Sequence, residues 1–361
     1  MAEQQKLYIV RKEYDGFGGA ENVAKRYSDY FSEHFENHLV YAGANLDNYQ
    51  FNGRKGPSWW KSLTFSNSVN HFLSTKNDSL TFSMTRGIEG HIFRMGDGVH
   101  NRWLALNNSG FLKRLFNPTH FVTPRLERYS IEHSRWIVPN SKMVAEEIAA
   151  EYPESIKKIK IIHNGFDPDR FVFANETTRS VLKKRLCETP EAMQLLFCAN
   201  GWERKGLAHT LELVSRINQL SSCHLWVVGR GTQNHYVKKC NELGIMKNVS
   251  FLGSQKNVTR WYQMADLSIL PTIYDPFSNS CLESLACGCP VMTTSSNGVS
   301  EFIDSNNGFI VNSPKEVCAK SSITWVLKVR DLDRNEISKS VSELNSENEI
   351  KAYLELLKRN D

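Results

Sequence analysis

Residues 274–292 read YDPFSNSCLESLACGCPVM, and their order is that of a loop, a short helix, a turn and a new strand. The run Ser278-Asn279-Ser280 is a helix start, because hydroxyl and amide side chains satisfy the free N–H groups of a first turn. Leu282, Leu285 and Ala286 give the stretch one apolar face. Gly288 followed by Pro290 stops it, and Val291 opens an apolar strand. Asp275 lies just before the positive end of this helix, and Glu283 sits about two turns along it. A helix start of this kind suits an anion such as a phosphate. Taken alone, the same residues also read as a capping Asp and a surface Glu.

The same alternation extends in both directions. Strand-like runs occur at 7–10, 38–41, 91–94, 136–139 and 160–163, and again at 194–198, 225–228, 249–252, 267–270, 290–293 and 308–311. Amphipathic stretches lie between them, at 20–35, 142–151, 207–217, 236–243 and 315–327. Strands alternating with helices predict parallel sheets covered on both faces. The pattern runs twice, with a turn-rich junction at Asn164-Gly165-Phe166-Asp167-Pro168 and a helix over 177–186 opening the second half. The expected fold class is therefore α/β, with one Rossmann-like domain over 1–168, a second over 169–340, and a C-terminal segment, 341–361, that holds an amphipathic helix at 346–358. Two such domains imply a cleft where ligands meet the carboxyl ends of both sheets.

A chain of 361 residues exceeds the usual size of one core, and 40% hydrophobic with 23% charged residues fits a folded protein. A net charge of +5 is too mild to imply nucleic acid as a partner, and no nucleic-acid motif is present. The N-terminal run MAEQQKLYIVRKEYDG is too short in apolar residues for a signal peptide, and no apolar stretch is long enough to span a bilayer. The expected location is the cytoplasm. The eight cysteines all fall in the second half in apolar or helical contexts, without a CxxC pair. They predict neither disulfides nor a metal site.

Several strand ends carry chemistry. Phe17-Gly18-Gly19-Ala20-Glu21 follows the first strand and lets a ligand approach the backbone. Asn200-Gly201-Trp202-Glu203-Arg204-Lys205-Gly206 follows the first strand of the second half and puts two cations at an expected helix start. There they oppose the helix dipole unless an anion relieves them. Gly229-Arg230-Gly231 lacks the third glycine of a dinucleotide fingerprint, since Asn234 stands there, which argues against a nicotinamide cofactor. Gly96-Asp97-Gly98-Val99-His100 exposes an Asp and begins a helix with a His, groups able to hold hydroxyls or manage a proton. Two basic, aromatic stretches, 54–61 with Trp59 and Trp60 and 102–128 with Trp103, Phe111, Phe116 and Phe121, suit the headgroup zone of an anionic membrane. Ordinary surface loops over a core are the simpler reading of the same stretches.

Taken together, these pieces resemble the family 4 glycosyltransferases of the GT-B fold. Gly18-Gly19 is similar to that family's N-terminal glycine loop, and Asn140-Ser141 and Asn164-Gly165-Phe166-Asp167 to landmarks before its linker. Arg204-Lys205-Gly206 resembles its diphosphate-binding cation pair, and Val249-Ser250-Phe251-Leu252-Gly253 the strand beside the nucleobase. Asp275 and Glu283 match the two acids of its E-x7-E signature, with Asp where the family usually has Glu, and Gly298, Glu301 and Gly308 match the segments beyond. Arg94-Met95-Gly96-Asp97-Gly98-Val99-His100 looks most like the bacterial lipopolysaccharide-core hexose and hexuronic acid transferases.

The resemblance implies two Rossmann-like domains facing each other across a cleft, and a retaining, metal-independent transferase. Its donor would be a nucleotide sugar, UDP-linked by analogy with the subgroup, taken as a substrate rather than a resident cofactor. Its acceptor would be a glycan or glycolipid, and its place the cytoplasmic face of the inner membrane, with peripheral contact through 54–61 and 102–128. Asp275 would bind donor hydroxyls, the helix start at Phe277, Ser278, Asn279 and Ser280 would face the diphosphate, and Glu283 would hold the ribose. Arg204 and Lys205 would stabilise the leaving diphosphate, and Asp97 and His100 would position donor sugar and acceptor hydroxyl. A nucleotide-sugar epimerase on the same fold, or a binding scaffold without turnover, are the alternatives.

Overall fold

The computed structural model describes residues 5–13, 19–42, 49–51, 56–106 and 117–359. Contacts divide the chain into two units, 1–163 with 349–361, and 164–348. In the first unit the strands are β1 (Lys6–Glu13), β2 (Glu36–Ala42), β3 (Tyr49–Phe51), β4 (Ser79–Ser83), β5 (Gly90–Met95) and β6 (Ser134–Pro139). In the second they are β7 (Met193–Cys198), β8 (Cys223–Val228), β9 (Val249–Gly253), β10 (Leu267–Leu270), β11 (Val291–Thr294) and β12 (Gly308–Val311). Described helices are α1 (Gly19–Phe31), α2 (Ser58–Ser74), α3 (His100–Leu106), α4 (Thr119–His133), α5 (Lys142–Glu151), α6 (Glu176–Leu186), α7 (Leu207–Asn218), α8 (Gln233–Glu242), α9 (Thr259–Met264), α10 (Asn279–Ala286), α11 (Lys320–Leu327), α12 (Arg334–Lys339) and α13 (Ser346–Lys358).

Among the described residues each sheet holds six strands in one winding, β3-β2-β1-β4-β5-β6 and β12-β11-β10-β7-β8-β9. All recorded pairings are parallel. The chain winds outward from its first strand, then crosses back to add three more on the other side. The reversal falls between β1 and β4 in one sheet and between β7 and β10 in the other, and it is at such reversals that open parallel sheets bind ligands. Central strands have both faces buried: Leu7, Tyr8, Ile9 and Val10 in β1, and Leu195, Leu196 and Phe197 in β7. This explains why they appear as unbroken apolar runs.

The run 160–163, expected as a strand, is not one. It is an extended segment whose backbone N–H groups at Lys160 and Ile162 bond the carbonyls of Ile137 and Pro139, with a single bridge from Ile137 to Ile159. The expected helix over 315–327 is a 3-10 turn, Pro314–Cys318, followed by α11. The C-terminal helix α13 sends Ile350, Tyr353, Leu356 and Leu357 into the core that covers β1 and β4 in the first unit. Among the described residues no helix is long and apolar enough to cross a membrane.

Candidate active site

The second unit's reversal brings together two loops, 199–206 after β7 and 271–278 after β10. Arg204 and Lys205 do not stand on a helix. α7 begins at Leu207, and Gly206 before it adopts a left-handed φ of 81°. A Cβ on Gly206 would strike the Pro271 carbonyl, so glycine is what lets the two loops touch. Hydrogen bonds stitch them further: Ile273 N–H to the Arg204 carbonyl at 2.9 Å, and the Thr272 hydroxyl to the same carbonyl at 3.2 Å.

Across this seam the Lys205 ammonium is paired with the Asp275 carboxylate, and the two side chains are only 11% and 10% exposed. The helix-dipole conflict expected for Lys205 is therefore resolved within the protein. Arg204 is solvent-exposed and spends one guanidinium N–H on the Tyr274 carbonyl at 2.7 Å. It has no carboxylate partner among the described residues. One cation is thus neutralised and one is available to an incoming anion.

Asp275 is fixed at its backbone as well, its N–H bonding the Ser296 carbonyl at 3.0 Å and its own carbonyl accepting from Gly298 N–H at 2.9 Å. Behind the loop sits Asn297, fully buried, a residue that sequence reasoning missed. Its Oδ1 accepts from Ser278 N–H at 3.1 Å, and its Nδ2 donates to the Thr293 hydroxyl at 2.9 Å. The Asn-Gly pair after a strand was the available signal, because such pairs turn chains. Phe277 is buried in the core of this unit.

The start of α10 departs from expectation in one respect. Ser278 is the N-cap but makes no side-chain cap bond; its hydroxyl pairs with Ser280 Oγ at 3.1 Å. The leading N–H groups of the helix are not closed by that side chain, which leaves an end of the kind that binds phosphate. Asn279 Oδ1 accepts from Asn164 Nδ2 at 2.7 Å, and a Cβ on the adjoining Gly165 would strike the backbone at Asn345, where Phe166 forms a parallel bridge. Glu283, half-buried on the second turn, accepts from the Tyr262 hydroxyl at 3.1 Å.

In the first unit, Asp97 and His100 follow β5, but their contacts go to different partners. Asp97 is 64% exposed, with Arg86 3.8 Å away. His100 opens α3, its N–H bonded to buried Glu127 at 3.2 Å, its Nε2 3.3 Å from Nδ1 of His120. Burial, with the like charges of Arg86 and His120 added, lowers His100 to about 4. It is therefore a neutral imidazole near pH 7, suited to hydrogen bonding rather than to acting as a cation. Glu127 anchors this corner, accepting also from Arg86 Nε at 2.8 Å and the Tyr152 hydroxyl at 3.0 Å. Gly19 begins α1, while Gly18 lies outside the described residues. So do Arg54, Lys55, Phe111 and Phe116 of the basic, aromatic stretches; within them Trp60 on α2 and Phe121 on α4 are exposed. Among the described residues no group of three His, Cys, Asp or Glu could hold a metal ion.

Comparison with known proteins places these features in context. A model described as Glycosyl transferases group 1 matches residues 192–325, and one described as Glycosyltransferase Family 4 matches residues 17–170. The lipopolysaccharide core biosynthesis glycosyltransferase LpsE of Rhizobium meliloti is 28% identical over 158 residues, 43% of this chain and 44% of that protein. The chain spans about half the length of the curated relatives it matches. Among solved structures, WaaG, a glycosyltransferase involved in lipopolysaccharide biosynthesis, is similar over 94% of this chain and 99% of its own, with a TM-score of 0.71 at 17% identity. Anabaena Alr3699/HepE in complex with UDP and glucose is similar over 94% and 98%, with a TM-score of 0.64 at 15% identity.

Proposed function

The chain belongs to the family 4, group 1 glycosyltransferases of GT-B fold, and from that premise we propose that it transfers a hexose, with retention of configuration, from a UDP-sugar to a glycan acceptor of the lipopolysaccharide core or a related cell-surface glycolipid. The observation that carries this reading is the seam of the second unit, where Lys205, Arg204, Asp275 and the open start of α10 meet at the reversal of the sheet.

In this reading the diphosphate binds at the start of α10 and on Arg204, and it draws Lys205 from Asp275. Asp275, released, accepts from donor-sugar hydroxyls, and Glu283 accepts from the ribose. As the bond to the anomeric carbon breaks, negative charge grows on the leaving diphosphate, where Arg204, the released Lys205 and helix N–H groups stabilise it. Preorganised electrostatics of this kind is usually the largest catalytic contribution, and no metal ion is required for it here. In the first unit, neutral His100 and exposed Asp97 serve the acceptor hydroxyl. Trp60 and Phe121, with Lys61 and Arg125 on the same helices, support peripheral contact with the cytoplasmic face of the inner membrane.

The test is slow donor hydrolysis by the purified protein, without acceptor, across UDP-, GDP- and ADP-sugars in EDTA. Release of UDP from one sugar is expected and identifies base and sugar together. Absence of both turnover and nucleotide binding across the panel overturns the reading.

A further inference from the structure

We propose that Tyr262 is the positioning residue that aims Glu283 at the ribose of the bound nucleotide; the inference rests on the donor-site reading above. Tyr262 lies on α9, has no solvent exposure, and packs edge-on against Phe171 with ring centroids 6.2 Å apart. Its hydroxyl donates to Glu283 Oε2 at 3.1 Å. The Cys198 thiol, at the carboxyl end of β7, neighbours the same phenol and the same carboxylate. Two elements, the end of β7 and helix α9, thus converge on one side chain that helix α10 carries.

A glutamate on a helix surface can rotate about three side-chain bonds, and recognition of a ribose diol requires its carboxylate held in one plane. A bond to one oxygen from a rigid aromatic ring fixes that plane. It does not exhaust the acceptor, since a carboxylate offers about four lone-pair sites. The two neighbours are suited to the task because both stay neutral. Burial, then the adjacent Cys198 and Glu283, push the phenol well above its ordinary range, and burial pushes the thiol up to about 12. Neither places a second negative charge beside Glu283, and the phenol keeps the proton it donates.

The experiment compares UDP with 2′,3′-dideoxy-UDP by calorimetry, on the wild-type protein and on Tyr262→Phe. The wild type is expected to prefer UDP. Tyr262→Phe is expected to weaken UDP roughly tenfold, as for loss of a hydrogen bond to a charged group, while leaving dideoxy-UDP unchanged. In turnover this appears as a raised KM for the donor with kcat nearly held. Equal weakening of both ligands makes Tyr262 a packing residue and overturns the inference, as does a preference for UDP that survives the substitution. A wild type that binds both analogues equally, or neither, instead overturns the donor-site reading itself. Glu283→Gln and the double variant Tyr262→Phe/Glu283→Gln supply an independent check: losses in UDP affinity that fail to add support the positioning role, and additive losses sink it.

Discussion

Lys205 and Asp275 form an ion pair that is almost withdrawn from water, joining two loops seventy positions apart. Removing one partner of such a pair leaves an uncompensated charge, whereas removing both charges together is nearly neutral. Lys205→Ala is therefore expected to lower stability by about 3 kcal/mol, and Lys205→Met/Asp275→Asn to recover most of that loss in urea unfolding. Donor turnover should not recover with it: both variants should lose at least about 2 kcal/mol of transition-state stabilisation, roughly thirtyfold in kcat/KM. Activity that returns with stability would reduce the pair to a structural clamp. His100 permits a second test. Its folded value of about 4 lies below its ordinary 6.5, so between those two pH values the unfolded chain binds the proton and the folded chain does not. Stability then rises with pH through this window and is fully present above 6.5. His100→Asn should flatten that slope relative to the wild type when unfolding midpoints are compared at pH 7.5, 5.5 and 4.5. Lys205, Asp97 and His100 were marked in the sequence by neighbouring glycine turns, and Asp275 by the helix start that follows it. Their partners were not, because the pairing of Lys205 with Asp275, and of His100 with His120, is set by strand order and helix packing rather than by spacing along the chain.

At the scale of elements, the turn before α7 packs directly against the loop after β10 at the reversal point. Gly206 combines a left-handed φ of 81° with a Cβ direction blocked by the Pro271 carbonyl, so Gly206→Ala meets both a backbone and a steric penalty. A loss of about 2 kcal/mol or more is expected from the backbone term and the forced shift together, read as a lowered urea midpoint, and Arg204 and Lys205 should move with the turn. Nucleotide affinity that falls by no more than the stability change predicts would sink the view that this glycine positions the cations. The strands of the second unit were readable from sequence almost to the residue, since β7, β8 and β10 are buried on both faces and stand out as apolar runs. β4 was not, because SLTFS presents two serines and a threonine in five residues, and its partners β1 and β5 supply the burial. α2 and α4 were read only as basic, aromatic stretches, since their exposed faces interrupt the apolar period. The segment 160–163 shows the opposite failure: its isoleucines resemble a strand, yet its pairing with β6 amounts to two backbone hydrogen bonds beside the bridge at Ile159.

At the scale of the molecule, the chain leaves the first unit at 163 and returns to it at 349, so the core over β1 and β4 is closed by the C-terminal helix together with α1. The closure is chemical as well as apolar. Glu349 accepts from Arg26 at 2.8 Å and from the Tyr27 hydroxyl, while Arg94 Nε bonds the same tyrosine oxygen at 3.0 Å. Tyr353, fully buried, packs edge-on against Phe82 with centroids 5.0 Å apart and against Tyr27 at 5.5 Å. Arg94 in turn lies against Gly96, where any Cβ would strike its guanidinium, and so supports the loop that carries Asp97 and His100. Among the described residues, the buried core of the second unit is assembled from residues between 166 and 341. Tyr353→Ala should therefore destabilise one unit and spare the other. Removing a buried aromatic side chain costs about 3–5 kcal/mol, and hydrogen exchange should show protection lost in β1, β4 and β5 while β7, β8 and β10 keep theirs. Binding of UDP, proposed for the second unit, should persist, and transfer to an acceptor should fail. Uniform loss of protection across both sheets would instead make the two units a single cooperative body, with the C-terminal helix a fastening for the whole chain rather than the missing wall of the first core.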